Sequence, residues 1–132
     1  DVSLISIILF KPKSVAIIGA STKELSIGNR IIKNLQDFGY RESIYPINPK
    51  ADEVRGIKAY NSILDVSSEI DLAHIVIPNK FVPLAIEDCG KKGVKTVIIN
   101  SAGFKEIGGE GVLLEKQIVE KAKKHDLRVF GP

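Results

Sequence analysis

Residues 19–28, GASTKELSIG, place glycines, small hydroxyl side chains and a lysine immediately before a helical pattern. That mixture suits phosphate, because unpaired backbone N–H groups at a helix start, reinforced by the helix dipole, form a ready anion site. Gly19 permits a tight turn and close backbone approach. Ser21 and Thr22 offer hydroxyl donors, Lys23 offers a charge, and Gly28 lets the helix start lie near a ligand. The bland alternative is a glycine-containing loop that only joins a strand to a helix. The spacing is neither Gly-x-Gly-x-x-Gly nor a Walker loop with its Lys-Ser/Thr pair.

Further polar and apolar groups follow other short apolar runs. Asn48, Pro49 and Lys50 stand where a dinucleotide-binding domain usually carries an Asp or Glu for the ribose hydroxyls. An amide, a rigid ring and a cation suit an extra ribose phosphate better than a free hydroxyl pair. Lys50 is either a point charge for that phosphate or a solvated surface lysine. Pro78, which follows Ile77, fixes an apolar wall without an N–H, and Ser101, Ala102 and Gly103 offer small groups and backbone amides. Phe104 is placed either to pack on a ligand's apolar arm or to fill ordinary core.

Other chemistry is not visible in the sequence. No Cys/His cluster has metal-ligand spacing and no nucleophile stands in a recognisable elbow. His74 and His125 read as core or surface histidines, and Cys89 as a small buried hydrophobe on a helix face. Glu106, Glu110 and Glu115 read as solvent-facing charges around the Gly108–Gly109 turn.

The elements that would position the loop alternate along the chain. Ser14–Ile18 is a continuous β-branched run closed by Gly19, as expected of a strand buried on both faces. Ile27, Ile31, Leu35 and Phe38 share one helical face, with Gly39 as the stop. Strands are expected at 43–47, 71–77, 94–99 and 127–130, with a short helical turn at 62–66. A helix carries Val82, Ala85, Ile86 and Cys89 and ends at Gly90 and Gly93, and another carries Leu114, Ile118 and Ala122. Such alternation requires right-handed crossovers and a parallel sheet covered on both faces. The fold class is therefore α/β: a Rossmann-like, three-layer, doubly wound parallel sheet of five main strands in the order 3-2-1-4-5, with ligands beyond the strands' carboxyl ends.

The chain has 132 residues, enough for one domain, expected at 14–132 behind a lead-in segment at 1–13. Residues 1–10 are strongly apolar, but the run is about half the ~20 residues of a spanning helix and lacks a basic leader, so no membrane role is expected. The net charge of +3 is scattered among acidic residues, without the basic run that nucleic acid would demand. A single cysteine fits a reducing cytoplasm.

Taken together, these tails resemble the CoA-binding domain of succinyl-CoA synthetase α subunits and, more closely, the N-terminal domain of NDP-forming acyl-CoA synthetases, which include ADP-forming acetate:CoA ligases. The resemblance spans nearly the whole chain, through FKPKSVAIIGAS at 10–21, YPINPK at 45–50 and VFGP at 129–132. It implies coenzyme A as the ligand, with the loop of Gly19, Ala20, Ser21, Thr22, Lys23 and Gly28 on its phosphates. Asn48, Pro49 and Lys50 would meet its adenosine end. Ile77, Pro78 and the turn of Ser101, Ala102, Gly103 and Phe104 would line the channel for its pantetheine arm. It also implies a reaction in the full enzyme, acyl-CoA, NDP and phosphate giving acid, NTP and CoA. That reaction runs through a phosphohistidine on a following domain and an ATP-grasp domain or subunit, so the chain is expected to be a fragment without a complete active site. The alternatives are a stand-alone or acyltransferase-fused CoA-sensing domain and an NADP-binding oxidoreductase domain.

Overall fold

The computed structural model describes residues 11–40, 43–100 and 109–131. The lead-in residues 1–10 and the turn at 101–104 lie outside them.

β1 (Ser14–Ile18) is buried along its whole length, as its unbroken β-branched run requires. It pairs in parallel with β2 (Ser43–Ile47) on one side and β5 (Leu72–Ile75) on the other. β6 (Thr96–Ile99) and β7 (Arg128–Phe130) continue the sheet, whose order is β2-β1-β5-β6-β7. A two-stranded antiparallel hairpin, β3 (Glu53–Val54) and β4 (Ile57–Lys58), stands apart from it. Arg55 and Gly56 close the hairpin, both at positive φ (51° and 79°), as a tight hairpin turn demands.

The reversal beside β1 expected from the sequence is present, but the third position of the 3-2-1-4-5 pattern needs correction. It is not occupied by the strand at 72–75, which lies on the opposite side of β1. Tyr60 takes it as a single parallel bridge to Ile47, donating its N–H to the Pro46 carbonyl (2.9 Å) and accepting from Asn48 N (2.8 Å). Pro46 fits this outer position, where a missing N–H is least disruptive.

The strands' alternation divides the core between two faces. Ala16, Ala73 and Val97 pack under α2 (Val82–Lys92) and α3 (Gly109–His125) through Ile86, Cys89, Leu114 and Ile118. On the other face Val15, Ile17 and Leu72 meet Val54 and Ile32, the latter from α1 (Ile27–Asp37). The result is the expected three-layer arrangement. Two details of the helical reading are corrected. Ile27 and Phe38 are 54% and 90% exposed, because α1 turns Gly28, Asn29 and Ile32 inward instead. Gly90 does not end α2, which runs on to Gly93 in the left-handed region (φ 90°). Gly90 is the point where the His125 ring crosses the helix, and a Cβ there would lie 2.1 Å from it.

His125 Nε2 sits 2.6 Å from Glu87 Oε2, and Lys121 Nζ 3.1 Å from Glu87 Oε1, tying α3 to α2. The His125 and Lys121 hydrogen bonds, with Lys124 nearby, hold the Glu87 carboxyl down from 4.5 to about 2. A carboxylate held down in the folded state contributes stability above its unfolded value and loses it on protonation. Glu87→Gln is thus expected to lower the thermal midpoint at pH 7, with the gap to wild type closing as pH falls from about 4.5 towards 2. Thermal melts across that range check this, and a constant gap would contradict it.

Candidate functional site

The carboxyl ends of β1, β2 and β5 converge where the winding reverses, the position at which an open parallel sheet leaves a crevice. Gly19 leaves β1 at φ 100°, with its N–H held by the Ile47 carbonyl (3.2 Å). A Cβ at Gly19 would stand 2.4 Å from the Val76 carbonyl oxygen of the β5 tail, and one at Gly28 would stand 2.5 Å from the Gly19 carbonyl oxygen. Three stretches of main chain therefore meet so closely that side chains are excluded.

The loop between these glycines is fixed by its own polar groups. Ser26 caps α1, its Oγ accepting from Asn29 N (3.3 Å) and donating to the Lys23 carbonyl (2.7 Å). Ser21 Oγ accepts from Lys23 N (3.1 Å). Asn48 ties the loop to the end of β2: Nδ2 donates to the Ala20 carbonyl (2.8 Å), and Oδ1 accepts from Lys50 N and Ala51 N (2.7 and 3.1 Å). The N–H groups of Ser21 and Thr22 have no partner among the described residues. Free donors on a glycine-bounded loop before a helix are what a phosphate oxygen needs.

The cleft beside this loop encloses about 480 Å³. It is lined by the small and polar residues Gly19, Ala20, Ser21, Asn48, Asn61, Ser62 and Asp88 and by the apolar residues Pro49, Ile63, Val76, Ile77, Pro78, Phe81, Leu84 and Ala85. A nucleotide with a long, weakly polar arm matches such a mixed lining. A larger groove, about 700 Å³, runs between α3 and β7, away from the loop donors.

Of the residues expected from sequence, Gly19, Ala20, Ser21, Asn48, Pro49, Ile77 and Pro78 meet in this cleft. Thr22, Lys23 and Lys50 do not line it; they are exposed on the loops at its rim. Gly28 lies buried beneath Gly19 and acts through packing. Ser101, Ala102, Gly103 and Phe104 fall outside the described residues. The sequence reading missed Asn61, Ser62, Ile63, Phe81, Leu84 and Asp88. Phe81, Leu84, Ala85 and Asp88 are spaced as a second helical stripe beside the core face, and Phe81 and Leu84 are 46% and 65% exposed.

The candidate nucleophiles are quiet. Burial, with Asp88 nearby, pushes the Cys89 thiol up to about 12, so it stays protonated. Burial lowers the His74 pKa, favouring the neutral ring.

Residues 13–132 match the family described as CoA binding domain. The chain is 52% identical over 128 residues to the Pyrococcus furiosus acetate–CoA ligase [ADP-forming] I subunit alpha, covering 94% of this chain and 28% of that one. It is 56% identical over 121 residues to the Methanocaldococcus jannaschii acetate–CoA ligase [ADP-forming], covering 92% of this chain and 17% of that one. Among solved structures, the dinucleotide-forming acetyl-coenzyme A synthetase 1 of Candidatus Korarchaeum cryptofilum superposes with a TM-score of 0.89 at 42% identity, covering 96% of this chain and 27% of the other. The chain thus spans less than a third of the length of these relatives.

In an ordinary helix Gly→Ala stabilises by up to about 1 kcal/mol. At Gly28 the 2.5 Å approach to the Gly19 carbonyl reverses the sign, and Gly28→Ala is expected to destabilise by roughly 1–3 kcal/mol. Urea unfolding checks the direction; a stabilised variant would contradict the close approach.

Proposed function

The chain belongs to the CoA-binding domain family, and from that membership we propose that it holds coenzyme A for an ADP-forming acyl-CoA synthetase. The carrying observation is the loop after β1, whose Ser21 and Thr22 N–H groups have no partner among the described residues and stand beside a cleft of mixed polar and apolar lining. The loop amides receive the pyrophosphate, and the start of α1 adds its dipole. The arm runs along Ile77, Pro78, Phe81 and Leu84, whose exposed apolar surface it covers. Lys50, at the rim beyond Asn48, meets the ribose 3′-phosphate.

In the whole enzyme, acyl-CoA, nucleoside diphosphate and phosphate yield the acid, the nucleoside triphosphate and CoA. This domain's part is to bind and orient the thioester carrier, while a phosphohistidine domain and an ATP-grasp domain move the phosphoryl group. Neither histidine here suits that carrier role: His74 is part-buried within the sheet, and His125 is engaged by Glu87. Among the described residues no helix is long and apolar enough to cross a membrane, and the role proposed is that of a ligand-binding module within a larger assembly.

Calorimetric titration with CoA and dephospho-CoA tests this reading. Wild type is expected to bind both, and CoA more tightly. Lys50→Gln is expected to weaken CoA by roughly three- to tenfold, the scale of one partly solvated charged contact, while leaving dephospho-CoA unchanged. Absence of binding by wild type would remove the reading, and tight NADPH binding with no response to CoA would replace it.

A further inference from the structure

Asn29 lies in the third position of α1 and is only 2% exposed, an unusual place for an amide because a buried polar group must find partners or lose stability. It finds them on both sides. Its Nδ2 donates to the Ser21 carbonyl at 2.8 Å, and its Oδ1 accepts from Arg55 Nη1 at 3.4 Å. Arg55 is itself held at the hairpin turn: its Nε donates to Gln36 Oε1 (2.8 Å), and its carbonyl accepts from Gln36 Nε2 (3.2 Å). A chain of contacts thus runs from the outer surface of α1, through a buried amide, into the loop after β1.

The consequence follows from peptide geometry. Within one trans peptide the C=O and N–H point in opposite directions. A Ser21 carbonyl drawn inward by Asn29 therefore turns the Thr22 N–H outward, and the Ala20 carbonyl, taken by Asn48, does the same for the Ser21 N–H. We propose that Asn29 is a positioning residue that sets the polarity of this loop, presenting N–H groups rather than carbonyl oxygens to the ligand's pyrophosphate, with Arg55 as its brace. This rests on the CoA-binding reading and adds to it a residue that touches no ligand. Were the Ser21 peptide free to rotate, its carbonyl dipole would face an anion and repel it.

The test titrates CoA, and pantetheine, which carries the arm without the pyrophosphate, into wild type, Asn29→Asp and Asn29→Leu, with unliganded thermal midpoints alongside. Aspartate keeps the shape and the Arg55 contact but presents an acceptor to the Ser21 carbonyl; leucine removes the donor altogether. CoA affinity is expected to fall roughly tenfold in both, the scale of one lost hydrogen bond that orients others, with pantetheine affinity within twofold of wild type. Arg55→Lys, which keeps the charge and leaves the core alone, is expected to show the same selective loss at smaller size, so the proposal is decided even if the Asn29 variants fail to fold. Wild-type CoA affinity in folded variants would overturn it. So would parallel losses for CoA and pantetheine that follow the thermal midpoint. A wild type indifferent to CoA would instead bring down the site reading itself, and this proposal with it.

Discussion

The structure depends on a main-chain approach that admits no side chains. The turn leaving β1, the first turn of α1 and the tail of β5 meet at Gly19 and Gly28, where a single Cβ would come within 2.4 to 2.5 Å of a carbonyl oxygen. The approach brings the start of α1 close to the sheet's edge, so that helix dipole and loop amides act on the same point in space. Among the described residues no acceptor takes the Ser21 or Thr22 N–H.

A loop of free donors would be useless if it could collapse on itself. Two amide side chains prevent this from opposite sides, Asn48 from the end of β2 and Asn29 from within α1, each occupying a carbonyl that would otherwise compete for the loop's own donors. The apolar lining of the cleft has a different origin. It is the overflow of the core: β5 continues past its last ladder residue through Val76 and Ile77 to Pro78, while α2 offers Leu84 from beside its buried face and Ala85 from that face itself. The cleft thus draws its lining from the loop after β1, the end of β2, the tail of β5 and α2, which meet at the reversal of the sheet.

Much of this was legible in the sequence, for reasons that also explain what was not. β1 was readable because a strand buried on both faces has no polar interruptions, and the loop because glycines and hydroxyl residues before a helix have few other uses. Tyr60 was not, since one bridging residue has no periodicity to detect. The buried face of α1 was misread because its inward residues include a glycine and an asparagine, neither of which registers in an apolar pattern. Asn29 was hidden for the same reason, a polar residue in a helix reading as surface. Phe81 and Leu84 were masked by the stronger core stripe beside them. Lys23 and Lys50 stand outside the cleft, because lysine stems are long and solvated and these two are exposed on their loops.

The central claim, that ligand phosphates are gripped by the main chain after β1, is tested most directly by following backbone amide resonances during titration with CoA. The expected result is that the Ser21 and Thr22 N–H signals move furthest downfield, as newly hydrogen-bonded amides do, with smaller changes along Ile77 and Leu84. Shifts concentrated in the groove between α3 and β7, with Ser21 and Thr22 unmoved, would contradict the account.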